Sequence, residues 1–393
     1  MEPIIKSLID LDLYKLTMQM AVLKKFPFAK VRYSFINRGK TKFPEGFGEE
    51  LREQVKFTEN LFLTEEEKTG LENKCKYFEP WYLDFLKGYR FNSTEVGIIQ
   101  AGGDLQVSVE GYFYSTILWE TILMSIISEL YYKMVKHNEF DYNKRTENNA
   151  KKISLFKLNG LHYADFGTRR RFSYGNQLEV VKQMASSIDI ENFFVGTSNV
   201  HLALKFNITP IGTHAHEWFM FHAAKYGYKM ANYLAMENWS DVYRGNLGIA
   251  LTDTFTTDVF FKSFDTKFAK LYDGVRQDSG DPFTFTDKTL EHYKKLNINP
   301  MSKTIVFSDS LNPELAVSIK DYCRGKIKCS FGIGTNFSND VGVKPLNMVI
   351  KMVEAKPEGE DWHPTIKLSD STGKHTGNLK EIEIAKYVLN IKL

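Results

Sequence analysis

Short apolar runs that end in a small or polar turn, each followed by helical periodicity, recur through the second half of this chain. They are ADFGTRRR (164–171), FFVGTSN (193–199), ITPIGTHAHEW (208–218), GIALTDT (248–254), DGVRQDSGD (273–281), IVFSDS (305–310) and CSFGIGT (329–335). Each reads as a buried strand that delivers glycine and polar residues at its carboxyl end. Counting strand-like runs gives eight, near 163–166, 193–196, 208–212, 247–252, 271–275, 304–307, 327–331 and 347–352. Helical patterns separate several of them. Leu178, Val181, Met184 and Ile188 share one face, and Ser310, Asn312 and Pro313 form a helix start. The pattern predicts an α/β fold, an irregular TIM-like α/β barrel whose right-handed crossovers put every turn on one rim, around one shared site.

The first half is patterned differently. VRYSFINR (31–38) alternates with period two, and VGIIQAGGDLQVSVEG (96–111) reads as two strands joined by a glycine turn. A helix over 116–135 is apolar on most sides and must be buried or sit at an interface. The polar run 136–152 then marks a boundary. This divides the chain into an N-terminal α+β domain over 1–150 and a barrel domain over 151–359. The segment 360–393, with its strand-and-turn TIKLSDSTGK (365–374), is expected to return to the first domain.

Composition narrows the class. With 393 residues, 43% hydrophobic and 14% aromatic, the chain can bury one large core and a second, smaller one. A net charge of +3 gives no global field toward nucleic acid or membrane. The 3 cysteines, Cys75, Cys323 and Cys329, form no CxxC pair, which argues for a reducing compartment and against a disulfide frame. The start, MEPIIKSLIDLDLYK, lacks the apolar core of a signal peptide, and no run is long enough for a membrane span. A cytoplasmic location is expected.

Two chemical signals stand out among the turns. His214 and His216 at a strand end could share a Zn²⁺, as in a metal-dependent barrel hydrolase, but residues spaced i, i+2 on a strand face opposite ways, and His222, His292, His363 and His375 lie away from strand termini. Gly332 and Gly334 of FGIGT let main chain approach an anion closely, with the Thr335 hydroxyl as a further donor.

Taken in order, DLYKLTMQ (12–19), RYSFINR (32–38), LWETILMSIISEL (118–130), ADFGTRRR, FVGTSN, GTHAHEW, RQDSGD, FSDS, FGIGT, VKPLNMVIKM (343–352) and KLSDSTGK (367–374) resemble the nicotinate phosphoribosyltransferase family over nearly the whole chain. The resemblance implies a ligase-type enzyme that hydrolyses ATP while joining nicotinate to 5-phosphoribosyl 1-pyrophosphate. It implies His216 as a phosphohistidine, and nicotinate held by Tyr14, Phe166, Thr213 and Arg276. The planar guanidinium of Arg276 suits the substrate carboxylate. Arg169 (with Arg170 and Arg171 adjacent), Asp278, Asp309, Gly332, Gly334 and Thr335 are expected around the phosphoribosyl and phosphate groups. Mg²⁺ is expected to be held through substrate phosphates. Asp253 is the candidate to orient His216. Ser198 stands where the nicotinamide-using relatives carry an aspartate, which favours the acid over the nicotinamide reading. The resemblance also implies a homodimer, with Tyr14 acting across the interface.

Overall fold

The computed structural model describes residues 2–135, 142–188, 193–371 and 373–391. Residues 136–141, part of the polar run at the expected boundary, lie outside this set. Two sheets organise the chain. The first is antiparallel, with β1 (Lys30–Ile36), β2 (Val96–Ala101), β3 (Asp104–Tyr112), β10 (Val349–Lys356) and β11 (His363–Pro364) in the order β11-β10-β1-β3-β2. Its alternation is the one expected of a half-buried sheet: Val31, Tyr33 and Phe35 of β1 and Leu105, Val107 and Val109 of β3 point inward. Gly102, at φ 57°, turns the β2–β3 hairpin.

The second sheet is parallel, with β4 (Tyr163–Asp165), β5 (Phe194–Thr197), β6 (Ile249–Leu251), β7 (Gly274–Gln277), β8 (Thr304–Phe307) and β9 (Lys328–Ile333) in the order β5-β4-β9-β8-β7-β6. The carboxyl ends of these strands therefore face the same way. Of the eight runs expected to be parallel, one joins the other sheet. The 347–352 run falls in β10, where Ile350 pairs with Phe35 in antiparallel register; its alternating burial suits a sheet with one covered face. The 208–212 run makes a single parallel bridge, Thr197 to Pro210, in which Thr197 N–H donates to Thr209 O and Ile211 N–H donates to Thr197 O; the prolyl nitrogen, on the side away from β5, has no hydrogen to offer a further strand. Leu271 ends a helix, Thr266–Leu271, rather than starting β7.

Four helices matter for the site: α1 (Leu13–Lys25), α2 (Trp119–Met134), α3 (His216–Tyr226) and α4 (Tyr228–Tyr243). Nearly every residue of α2 is buried, as its all-round apolar pattern requires. Its Ser125 and Ser128 hydroxyls donate to the carbonyls of Thr168 and Arg171, which ties the turn after β4 to the α2 side of the molecule. The start of α1 docks on the turn after β5 through Leu13 N–H to Ser198 O (2.8 Å) and Val200 N–H to Leu11 O (3.0 Å). Residues 367–371 return across the rim of the parallel sheet, where Leu368 N–H donates to Thr254 O. Among the described residues no helix is long and apolar enough to cross a membrane.

Candidate active site

Two adjoining clefts open beside the carboxyl ends of the parallel strands, and Tyr14, Arg169 and Arg276 line both. The first, of about 550 Å³, is also lined by Asp12, Phe166, Ser198, Thr213, His214 and Val306. It suits a flat aromatic ligand. Phe166 follows β4, and Gly332 of β9 makes room for its ring, since a Cβ there would lie 2.3 Å from two ring carbons. Gly332 thus works beneath the aromatic ring and lines neither cleft. Arg276, in β7, donates to His214 O at 3.3 Å, while its buried Nε–H has no hydrogen-bond partner among the described residues. A buried unpaired donor beside an aromatic wall fits an anionic group on a bound ring. Thr213 lines the cleft, but its hydroxyl is committed to Ile249 O at 3.0 Å. The Ser198 hydroxyl donates to Asp12 Oδ1 at 2.6 Å.

Tyr14 reaches this cleft from its own chain. The docking of α1 on the β5 turn brings the ring beside Arg169, 5.9 Å from ring centre to guanidinium, and its hydroxyl donates to Glu120 at 3.2 Å. Tyr14 thus lines both clefts of its own chain. Of the three adjacent arginines, Arg169 faces the clefts. Arg171 is fully buried and makes a two-pronged pair with Asp10, at 2.7 and 2.9 Å.

The second cleft, of about 480 Å³, is lined by His216, Asp278, Glu120, Glu217 and Lys351 among others. His216 is the first residue of α3, reached through an irregular segment, so the two histidines do not alternate along a strand. His216 Nε2 lies 2.9 Å from Asp253 Oδ1, just past β6, and 3.5 Å from Asp278 Oδ2, just past β7. The other Asp253 oxygen accepts from Ser279 Oγ at 2.6 Å and pairs with Lys367 at 2.9 Å. Burial and the Lys367 ammonium push the His216 imidazole down to about 4, so it is neutral at physiological pH. Burial raises the Asp253 carboxyl, but its His216 contact, Lys367 and the Ser279 hydroxyl outweigh this and hold it well below the usual range. A neutral imidazole with Nε2 on a fixed carboxylate presents Nδ1, which has no hydrogen-bond partner among the described residues, as a nucleophile. His214 is buried against the edges of Phe219 and Trp239, and its ring nitrogens have no partners among the described residues.

The remaining candidates lie farther out along the same sheet edge. Asp309 is paired with Lys374 at 3.0 Å and lines neither cleft. Gly334 and Thr335 follow β9, where Gly334 lies against the main chain of Phe166. His216, Asp253 and Asp278 also form a group of metal-binding type, although two of Asp253's contacts are to cations or donors already. Motif reading missed Lys15, Glu120, Glu217, Lys351 and Lys367. The available signal was a carboxylate or ammonium inside an otherwise apolar run, as in LWETILM and NMVIKM, because such charges are seldom buried unpaired.

A model of the nicotinate phosphoribosyltransferase (NAPRTase) family matches residues 161–392, and one of the N-terminal domain of that family matches 9–128. A nicotinate phosphoribosyltransferase of Chromohalobacter salexigens is 55% identical over 386 residues, covering 98% of each chain. One of Desulforapulum autotrophicum is 50% identical, covering 96% of this chain and 97% of its own. The crystal structure of nicotinate phosphoribosyltransferase from Porphyromonas gingivalis superposes with a TM-score of 0.96 at 45% identity, covering 99% of this chain and all of the other.

Proposed function

The chain belongs to the nicotinate phosphoribosyltransferase family, and we propose that it transfers phosphoribosyl from 5-phosphoribosyl 1-pyrophosphate to nicotinate in NAD salvage, driven by ATP through a phosphohistidine at His216. One observation carries this reading: the His216–Asp253 pair and the unpaired Nε–H of Arg276 sit in adjoining clefts that share Tyr14, Arg169 and Arg276.

In the first step His216 Nδ1 attacks the γ-phosphorus of ATP. The P–N bond forms as the bond to the bridging oxygen breaks, and ADP leaves, while Asp253 balances the charge that develops on the imidazole. In the second, nicotinate lies against Phe166 and Tyr14 with its carboxylate on Arg276. The pyridine nitrogen bonds to the anomeric carbon as pyrophosphate departs. Positioning and charge neutralisation dominate a transition state of this kind, and no strong base is required. Hydrolysis of the phosphohistidine completes the cycle, linking ATP to an otherwise unfavourable transfer.

Arg169 and Asp278 serve the phosphoribosyl end, with Gly334, Thr335 and Asp309 at the same sheet edge as its outer contacts. Asp278, a carboxylate facing the cleft with a single hydroxyl donor, Ser308 Oγ at 2.9 Å, suits a Mg²⁺ held mainly by substrate phosphates. Bound there, the ion neutralises phosphate charge. The parallel sheet is read as closing into a barrel through residues 208–213, supported by the Thr197–Pro210 bridge on one side and the Thr213 hydroxyl on Ile249 O on the other. A cytoplasmic homodimer is the corresponding cellular form, checked by sedimentation of the purified chain.

The deciding experiment is a steady-state assay of nicotinate against nicotinamide, with and without ATP, alongside labelling by γ-labelled ATP. Nicotinate turnover stimulated by ATP, with acid-labile label on the wild-type chain and none on His216→Asn, is the expected result. Preference for nicotinamide, or normal labelling of His216→Asn, overturns the assignment.

A further inference from the structure

One buried charge cluster takes no part in the steps above yet touches both halves of the site. Lys15 follows Tyr14 on α1, and its side chain is wholly buried. Its ammonium reaches Glu120 at 2.6 Å and is also bonded to Glu217. Glu217 is the residue after His216 on the first turn of α3, and its second oxygen accepts from the Tyr33 hydroxyl at 2.6 Å. Glu120 accepts from the Tyr14 hydroxyl at 3.2 Å and faces Arg169 at 3.5 Å. A continuous path of charged contacts thus runs from the helix turn that presents His216 to the ring and guanidinium of the aromatic cleft.

We propose that Lys15 is a positioning residue that joins the His216 half-site to the Tyr14–Arg169 half-site, holding both in one frame through the two carboxylates it bridges. The proposal rests on the functional reading above. Burying one ammonium between two carboxylates strips water from three charges, so the arrangement is a weak source of stability and a strong constraint on geometry. The groups facing it come from every neighbouring element: Glu120 from α2, Glu217 from α3, Tyr33 from β1, Lys351 from β10, and Asp12 and Arg169 from the flanking turns. Burial pushes Lys351 down to about 8, partly offset by Glu120, so Lys351 is a poor substitute for the Lys15 charge. When a phosphoryl group arrives on His216, any shift of the first turn of α3 is carried by Lys15 to Glu120, and from there to the two groups that hold the pyridine ring.

Lys15→Met alone leaves two buried carboxylates without their cation and is liable to misfold, so the test uses Lys15→Met/Glu217→Gln, which removes one charge of each sign. The double variant should melt within a few degrees of wild type, while its rate of labelling by γ-labelled ATP falls at least tenfold and its KM for nicotinate rises at least tenfold. If either value stays within threefold of wild type, Lys15 does not join the two half-sites and the proposal is wrong. The functional reading is judged separately, on the wild-type chain. Should wild type turn over no nicotinate, the bridge is decided by amide hydrogen exchange. Lys15 joins the half-sites if the turns at Lys15 and His216 lose protection together in the double variant, and does not if the His216 turn keeps wild-type protection.

Discussion

Replacing Asp253 by asparagine changes one charge and almost no volume, in a residue that is fully buried and accepts from His216, Ser279 and Lys367 at once. Two effects follow. In the neutral imidazole the Nε2 proton points at the carboxylate and Nδ1 keeps its lone pair; an asparagine amide can donate to Nε2 instead, which moves the proton to Nδ1 and blocks attack. The second effect is electrostatic. Positive charge builds on the ring as the P–N bond forms, with Nε2 2.9 Å from Oδ1. Charge centres about 4 Å apart at an effective dielectric of about 20 interact by about 4 kcal/mol. Removing that interaction slows phosphoryl acceptance about 10³-fold, and the Lys367 charge, no longer neutralised, acts in the same direction. The assay is single-turnover labelling with γ-labelled ATP in excess, with the melting temperature as a check on folding. A folded Asp253→Asn protein that labels within threefold of wild type would show that His216 does not depend on this carboxylate.

Gly332→Ala drives a methyl into the Phe166 ring. At a typical overpacking cost of about 1–3 kcal/mol, KM for nicotinate should rise roughly 5- to 160-fold if the ring is displaced; an unchanged KM with wild-type stability places the ring elsewhere. Ser198→Asp sets a second carboxylate against Asp12, whose own carboxyl burial already raises, so nicotinate turnover should be lost while Ser198→Ala retains most of it. Equal kinetics for the two variants would remove Ser198 from any role in choosing the acid. Acid stability follows from three buried histidines, His214, His216 and His222, whose imidazoles burial pushes down, the last two to about 4 and about 3. Below pH 6.5 the unfolded chain binds protons that the folded chain refuses, so stability falls as pH falls. From pH 7.5 to 5.5 each histidine contributes a loss of about 1.4 kcal/mol. Asp165, pushed up to about 6 by burial, offsets this by about 0.8 kcal/mol because the folded carboxyl takes up its proton first. These four groups together give a loss of about 3 kcal/mol; the lowered His292 adds to it and the raised carboxyls of Asp12, Glu95, Glu217 and Asp370 reduce it. Urea midpoints should fall from pH 7.5 to 5.5, and a midpoint that rises at pH 5.5 contradicts the neutral-histidine assignment.

The strand-turn-helix rhythm made the parallel strands legible because each is short, apolar and closed by a glycine or polar turn, a signal confined to a few residues. The 347–352 run carried the same local signal and joined the other sheet, since pairing partners far apart in sequence, here Phe35 and Ile350, decide which sheet a strand enters. Residues at or just past the apolar runs, such as His216, Asp253 and Arg276, could be named for the same local reason. Their surroundings could not. Lys367 reaches Asp253 from more than a hundred residues away, and Lys15 meets Glu217 only because α1 docks on the β5 turn. Tyr14 is the clearest case: the motif around it named the residue, but its place in the cleft of its own chain depends on the hydrogen bond from Leu13 N–H to Ser198 O, which no periodicity encodes.

This distinction also explains where the site's charge balance is set. Motifs reveal His216 and Asp253, yet burial first and the Lys367 ammonium second keep His216 neutral, and the nitrogen it presents is set by Asp253, which Ser279 and Lys367 hold in place. Lys367 belongs to the 367–371 segment, which is held to the rim by main-chain bonds from Leu368 to Thr254 and from Ser369 to Asp253. The 367–371 segment is therefore part of the charge arrangement around His216. Lys367→Met tests this directly. Without the ammonium the His216 imidazole should titrate closer to its ordinary value, so that the labelling rate, flat between pH 6 and 8 in wild type, should fall on acidification across that range. A Lys367→Met profile that stays flat would mean that burial alone keeps His216 neutral.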